Sequence, residues 1–404
     1  MTTTEPRYNV GGVVLQRPFK VRRLGHFGLY TERLAEATRF YRDLIGFRLS
    51  DTVDFRAVAQ NPEIYDGIED PYLHFLRYNG DHHAFVLGSK PASEARRGHK
   101  AIDSTGQMSW QVGTLGEVGN AIPWLTEQGM DIRNVGRDMP GSNWHVYFVD
   151  PDKRTVELFY GMEQIGWDGL SKPREMYDRG FRTQPSLPQM SEFDEVQQAL
   201  TDGIGLKSGY RHVELPSRFD VEGVMLPRPF KPVNMGPLRL FVSDMALAEA
   251  FYRDTMGFAL TEEVTYQGHR CIFLRVNTEH HSVALYPMEL RSVLGLSSHA
   301  TSMSFGVQVG SYRQLTNAVD FLRAEGCTVR ELPPELSPGI DYSAYIVDPD
   351  GHLVQLYFQM EQIGWDGKPR PPEARPQAAL GQWPSELEPQ SDTYAGQVFL
   401  GPLG

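Results

Sequence analysis

Cysteine is scarce in this chain: Cys271 and Cys327 are the only two among 404 residues. Two thiols cannot build a disulfide framework, and so few point to a reducing compartment. Positive charge is also in deficit, 39 Lys and Arg against 51 Asp and Glu, for a net −12. That balance argues against nucleic acid or an anionic membrane as a main partner. No apolar run is long enough to span a bilayer. The opening "MTTTEPRYNV" lacks a basic stretch followed by an apolar one, so no secretion signal is expected there. A cytoplasmic protein is the expectation.

What is present is repetition. "MEQIGWDG" occurs at Met162–Gly169 and again at Met360–Gly367. Further matches lie outward from it: "GGVVLQRPFK" with "EGVMLPRPFK", "FYRDLIGF" with "FYRDTMGF", "HHAFVL" with "HHSVAL", and "VDPD" twice. Tyr41 answers Tyr252, 211 residues on, whereas His83 answers His281, 198 residues on. The first copy therefore carries 13 extra residues, placed around "FRAVAQNPEIYDGIEDPYL".

Each copy divides again. "HFGLYT" alternates as a strand, and "ERLAEATRFYRDLIG" follows at helical spacing with Gly46 as its stop. Three strands are expected near Phe47–Val53, Tyr72–Tyr78 and His83–Leu87. The same β-α-β-β-β order then returns: strand "MSWQVGT", a helix over Val118–Gln128, and strands near Ile132, Trp144–Val149 and Thr155–Tyr160. The expected layout is α+β: an N-terminal domain over 1–169, a linker over 170–221, a C-terminal domain over 222–367 and a proline-rich tail over 368–404. Each domain would pair two βαβββ modules in a half-open antiparallel barrel. In the linker, Ser191 should cap a helix over "EFDEVQQAL". Alternation gives one face of the first domain Gln107, Ser109, His145, Tyr147, Glu157 and His26, polar groups that are costly to bury unless they bind something. A merely hydrated face is the alternative reading.

Four βαβββ units in two pairs resemble the vicinal oxygen chelate superfamily, which includes glyoxalase I, bleomycin-resistance proteins and extradiol ring-cleaving dioxygenases. "LGHFGLYT", "DHHAFVL", "YFVDPDKRTVELF" and "MEQIGWDG", in that order, look most like the two-domain type I extradiol dioxygenases. The resemblance covers roughly 15–169 and 227–367. It implies that two His and one carboxylate hold a divalent metal, leaving a face open to a catechol-like aromatic and O2. Carried over by motif, His26 and Glu157 are metal ligands, and Gln107 stands where the second His is expected. An amide carbonyl is a harder, weaker donor than imidazole. Fe(II) is the expected metal, with the Gln shifting preference toward Mn(II) or another divalent ion. His99 is the nearest histidine upstream of Gln107. His83 would be the acid–base residue and Tyr147 a hydrogen-bond donor to substrate oxygen; Asp138 stands where the family has a further His. Each residue also has a plain structural reading: a half-buried His26, a Glu157 that only follows a turn, and His83 and Tyr147 shared with the second copy.

In that second copy, Pro237, Ser304 and Gln355 replace His26, Gln107 and Glu157. A metal is not expected there. Three functions stay open: an extradiol-type dioxygenase, a non-redox metal enzyme of glyoxalase type, and a metal-free protein that binds aromatics. The resemblance also implies a homo-oligomer.

Overall fold

The computed structural model describes residues 7–98, 104–137, 141, 144–177, 186, 188–376 and 379–387. The first copy forms one eight-stranded sheet from β1 (Val21–Thr31), β2 (Arg48–Asp54), β3 (Tyr72–Arg77), β4 (Phe85–Ser89), β5 (Thr105–Val112), β6 (Asn134–Gly136), β7 (His145–Val149) and β8 (Thr155–Phe159). Their order across the sheet is β2-β3-β4-β1-β5-β8-β7-β6. The ends of that order do not pair, so the barrel is half open. The second copy repeats the order with β9 (Pro232–Val242), β10 (Ala259–Tyr266), β11 (His269–Arg275), β12 (Val283–Pro287), β13 (Ser302–Val309), β14 (Val329–Arg330), β15 (Ser343–Val347) and β16 (Leu353–Tyr357).

The sheets are mixed, which refines the antiparallel expectation. β1 runs parallel to β4, and β5 to β8. A helical crossover brings the chain back in the direction of the first strand, and a three-strand meander then ends in that same direction. The two modules meet through the antiparallel pair β1/β5.

Helix α1 (Leu34–Arg39) runs on through a π turn over Phe40–Ile45 and stops at Gly46, whose φ of 103° suits glycine. Helix α2 (Lys90–Arg97) follows β4, capped by Ser89. Helix α3 (Leu115–Glu127) begins three residues before the expected start, because Thr114 accepts the Glu117 backbone N–H. The linker helix α4 (Glu192–Thr201) has Ser191 as its cap. In the second copy, α5 (Met245–Ala250) and α6 (Tyr312–Ala324) occupy the places of α1 and α3.

The helix-bearing faces of both copies merge into one apolar core, in which Phe27 and Phe85 pack on Phe305. The repeated motifs tie the copies together reciprocally. Tyr41 of "FYRD" donates to Asp348 of the other copy's "VDPD" at 2.8 Å, and Tyr252 donates to Asp150 at 3.4 Å. Arg17 of "RPFK" reaches the Gly257 carbonyl, and Arg228 reaches that of Asp43. Within each copy, Lys20 and Lys231 anchor these arms by backbone N–H bonds to Glu117 and Gln314 at the start of α3 and α6.

"MEQIGWDG" is a strap. The Glu163 carbonyl accepts the His82 N–H and the Ile165 N–H reaches Gly80; Glu361 and Ile363 do the same to His280 and Thr278. The strap fixes the loop that bears each pair of histidines.

Candidate active site

The concave face of the first sheet carries the polar residues singled out by alternation, in register. Glu157 on β8 pairs with Ser109 on β5, and Ser109 pairs in turn with His26 on β1. His26 Nε2 lies 2.9 Å from Glu157 Oε2, and Ser109 Oγ donates to the same oxygen at 2.5 Å. His145 Nδ1 is 3.5 Å from the other oxygen, Oε1. Glu157 is 0% exposed and His26 1%. Burial alone would raise the Glu157 carboxyl. His26, His145 and Ser109 outweigh burial and hold it below its ordinary range.

His83 lies just ahead of β4 rather than in it, held by the strap. Its ring meets His26 edge-on with centroids 4.4 Å apart, and its Nδ1 is 3.0 Å from His82 Nδ1. Burial, then His26 and His82, depress its pKa well below the usual histidine value. His82 turns toward Asp51, 3.8 Å away.

A cavity of about 270 Å³ opens one row above the His26–Glu157 pair, lined among others by Gly28, Gln107, Tyr147, Thr155 and Phe55. Gly28 keeps this wall open: a Cβ there would meet Gln107 Cγ at 3.1 Å. Phe55 comes from the extra segment of the first copy, which folds into short helices at Phe55–Val58 and Pro62–Tyr65 against α2.

Of the five residues expected from sequence, His26, Glu157 and His83 share one buried cluster, while Gln107 and Tyr147 stand at the cavity wall above it. Gln107 joins the cluster through Ser109, its Nε2 3.4 Å from Ser109 Oγ. Sequence reasoning missed Ser109 and His145 as partners of Glu157. Alternation had put both on the right face; the register across strands, which brings them to Glu157, is invisible in the sequence. Asp138 and His99 lie outside the described residues.

Among the described residues no group of three or more His, Cys, Asp and Glu side chains is arranged to hold a metal. His26 and Glu157 are the imidazole and carboxylate in direct contact, and Gln107 stands one row away. Glu157 Oε1 and His26 Nδ1 are buried and have no hydrogen-bond partner among the described residues, with His145 Nδ1 3.5 Å from Oε1. A carboxylate, an imidazole and an amide oxygen suit a divalent ion of borderline hardness.

The sequence matches the family model of the Glyoxalase/Bleomycin resistance protein/Dioxygenase superfamily over residues 23–158 and again over 234–356. The chain belongs to that superfamily. It is 30% identical over 131 residues to 2,2',3-trihydroxybiphenyl dioxygenase of Sphingomonas paucimobilis, covering 32% of this chain and 43% of that protein. It is 32% identical over 145 residues to metapyrocatechase 2 of Cupriavidus necator, covering 35% and 38%. The chain thus matches less than half the length of these curated relatives. Among solved structures, a catechol 2,3-dioxygenase superposes with a TM-score of 0.52 at 18% identity, covering 89% of this chain and 92% of that one. The Mn(II)-bound glyoxalase from Novosphingobium aromaticivorans gives 0.53 at 13%, covering 90% and 92%. At such identities these structures establish the fold that superfamily membership implies. No described helix is long and apolar enough to cross a membrane.

Proposed function

We propose that the protein is a metal-dependent extradiol-type dioxygenase that opens the ring of a catechol-like aromatic with O2. The observation that carries this reading is the buried His26–Glu157 pair, one strand row from a cavity of about 270 Å³ lined by Gly28, Gln107 and Tyr147. The relatives named as ring-cleaving dioxygenases support it. His26 and Glu157, with Gln107, would hold the metal, Fe(II) first and Mn(II) or another divalent ion second. When bound, such a metal supplies electron exchange with O2 and draws phenolic oxygens toward it. The other roles belong to this chain. His83, edge-on to His26, accepts a proton from a substrate hydroxyl; Tyr147, at the cavity wall, donates a hydrogen bond to a substrate oxygen; Phe55 and Leu73 shield the ring from water.

Oxygen uptake tests it. Protein loaded anaerobically with Fe(II) or Mn(II) should consume O2 with some members of a panel of catechols and hydroquinones. No uptake with any of them would sink the proposal. One observation favours a second reading, a non-redox metal enzyme of glyoxalase type: the ligand position at β5 holds Gln107 instead of an imidazole. Turnover with Zn(II) or Mg(II) and no O2 consumption would select it.

A further inference from the structure

The walls of the cavity are uneven in charge. Among its described lining, three side chains carry full charge and all are arginines: Arg96 and Arg97 at the end of α2, and Arg133 just before β6. No Asp or Glu lines it, in a chain with a net charge of −12. Arg96 lies over the Phe55 ring at 5.4 Å and Arg97 over the Tyr30 ring at 5.3 Å. A guanidinium stacked on an aromatic face is held in position while its N–H edges stay available to a planar anion. Arg133 pairs with Asp131 at 2.7 Å, an exposed contact that binds it weakly.

The second copy lacks this arrangement. The corresponding helix there is shorter, Leu290–Val293, and Leu294 after it packs into an apolar cluster. The two arginines therefore accompany the copy that has the cavity. Besides the arginines, the lining includes Gln107, Tyr147, Phe55, Leu73 and Val86, and Arg96 and Arg97 are exposed.

We infer that the cavity takes an aromatic ligand bearing an anionic substituent, a carboxylate or its equivalent, held by Arg96 and Arg97 while the ring's oxygens face Gln107 and Tyr147. This rests on the proposal that the cavity is the substrate site. Opposite charge at the mouth would also raise the rate of encounter in dilute salt.

The test compares two catechols of similar size, 3,4-dihydroxyphenylacetate and 4-methylcatechol, by equilibrium binding to the anaerobic metal-loaded protein. The carboxylated ligand should bind at least about tenfold more tightly at low ionic strength, with the gap narrowing as salt rises. In the R96Q/R97Q protein, whose changed side chains are exposed, the gap between the two ligands, read within that variant, should fall to about threefold or less. Equal affinity of the wild type for both ligands, or an undiminished gap in the double variant, overturns the inference. Binding is read without turnover, so the two proposals fail separately. A charge preference without O2 uptake upholds the anion site and counts against the dioxygenase. O2 uptake with no preference does the reverse.

Discussion

Set side by side, the concave faces of the two copies share a backbone and little else. In the first, Gly28 leaves space above a buried Glu157, and that space is the cavity. In the second, the same position is Arg239, wholly buried, its Nη2 3.3 Å from His281 Nε2. Gln355 stands for Glu157 and donates to the Tyr345 and Ser343 hydroxyls at 3.1 and 3.0 Å. The first copy's extra segment is replaced by a tight β10–β11 turn at Gln267–Gly268. Changes on two strands and one loop thus put the buried Arg239 and Gln355 where the first copy has Gly28 and Glu157. The convex faces went the other way: "FYRD", "VDPD" and "RPFK" recur because each copy uses them to grip the other. "FYRD", "VDPD" and "RPFK" are shared because they form the interface, whereas His26, Gly28, Gln107 and Glu157 are the site positions that differ.

The strongest way to break the contrast is to give the first copy the second's carboxamide. Glu157→Gln should reduce metal affinity by more than the ~10–100-fold typical of outer-shell changes, with O2 uptake lost; metal analysis after dialysis reads it. If the variant holds metal like the wild type, Glu157 is no ligand. Next comes Gly28→Arg, which copies Arg239 into the cavity. The fold should survive, since the second barrel accepts arginine there, and catechol affinity should drop at least about tenfold. Calorimetric titration measures it, and unchanged binding would mean the ligand sits elsewhere.

Smaller effects probe the interface. Tyr41→Phe removes a buried hydroxyl that donates to a carboxylate and should cost about 1.5–3 kcal/mol in urea unfolding. Tyr252→Phe, with its longer 3.4 Å contact, should cost less. Equal losses would show that the two grips are equivalent. Smallest is a pH effect confined to one side. Burial alone would lower His352, but Asp348 outweighs it and raises its pKa above 6.5; Asp348 is itself depressed below 3.8, with His352 and Tyr41 overcoming burial. The histidine's contribution is full below its unfolded value and fades as pH rises through the raised one. The aspartate's is full above 3.8 and fades as pH falls through the lowered one. Stability from this pair should peak between about pH 4 and 6.5 and decline above. Arg154 fills the same position opposite Asp150 and does not titrate there. His352→Arg should therefore flatten the decline in thermal unfolding measured from pH 6 to 9.

Much of the fold was legible because β-alternation, the Gly46 stop and the internal repeat agree with one another. The beginning of α3 was read late because the Thr114–Glu117 cap precedes its apolar pattern. Helix α2 was not foreseen at all; its one signal is Ser89 ahead of Pro91. The site was legible by face and not by row. A register shift between Leu24 and His26 sets His26 opposite Ser109, leaving Gln107 beside Gly28. Such a bulge leaves no trace in a residue pattern of period two.

The crossed arms also bear on how such a chain diverges. Arg17 completes a turn that belongs to the second copy, and Arg228 one that belongs to the first, so each half lacks contacts when separated. A covalent link keeps the halves at an effective concentration on the order of millimolar, and dilution cannot part them. The second half is then a permanent chaperoning partner: selected for the shape of its outer surface, free to lose its chemistry, and not free to be deleted.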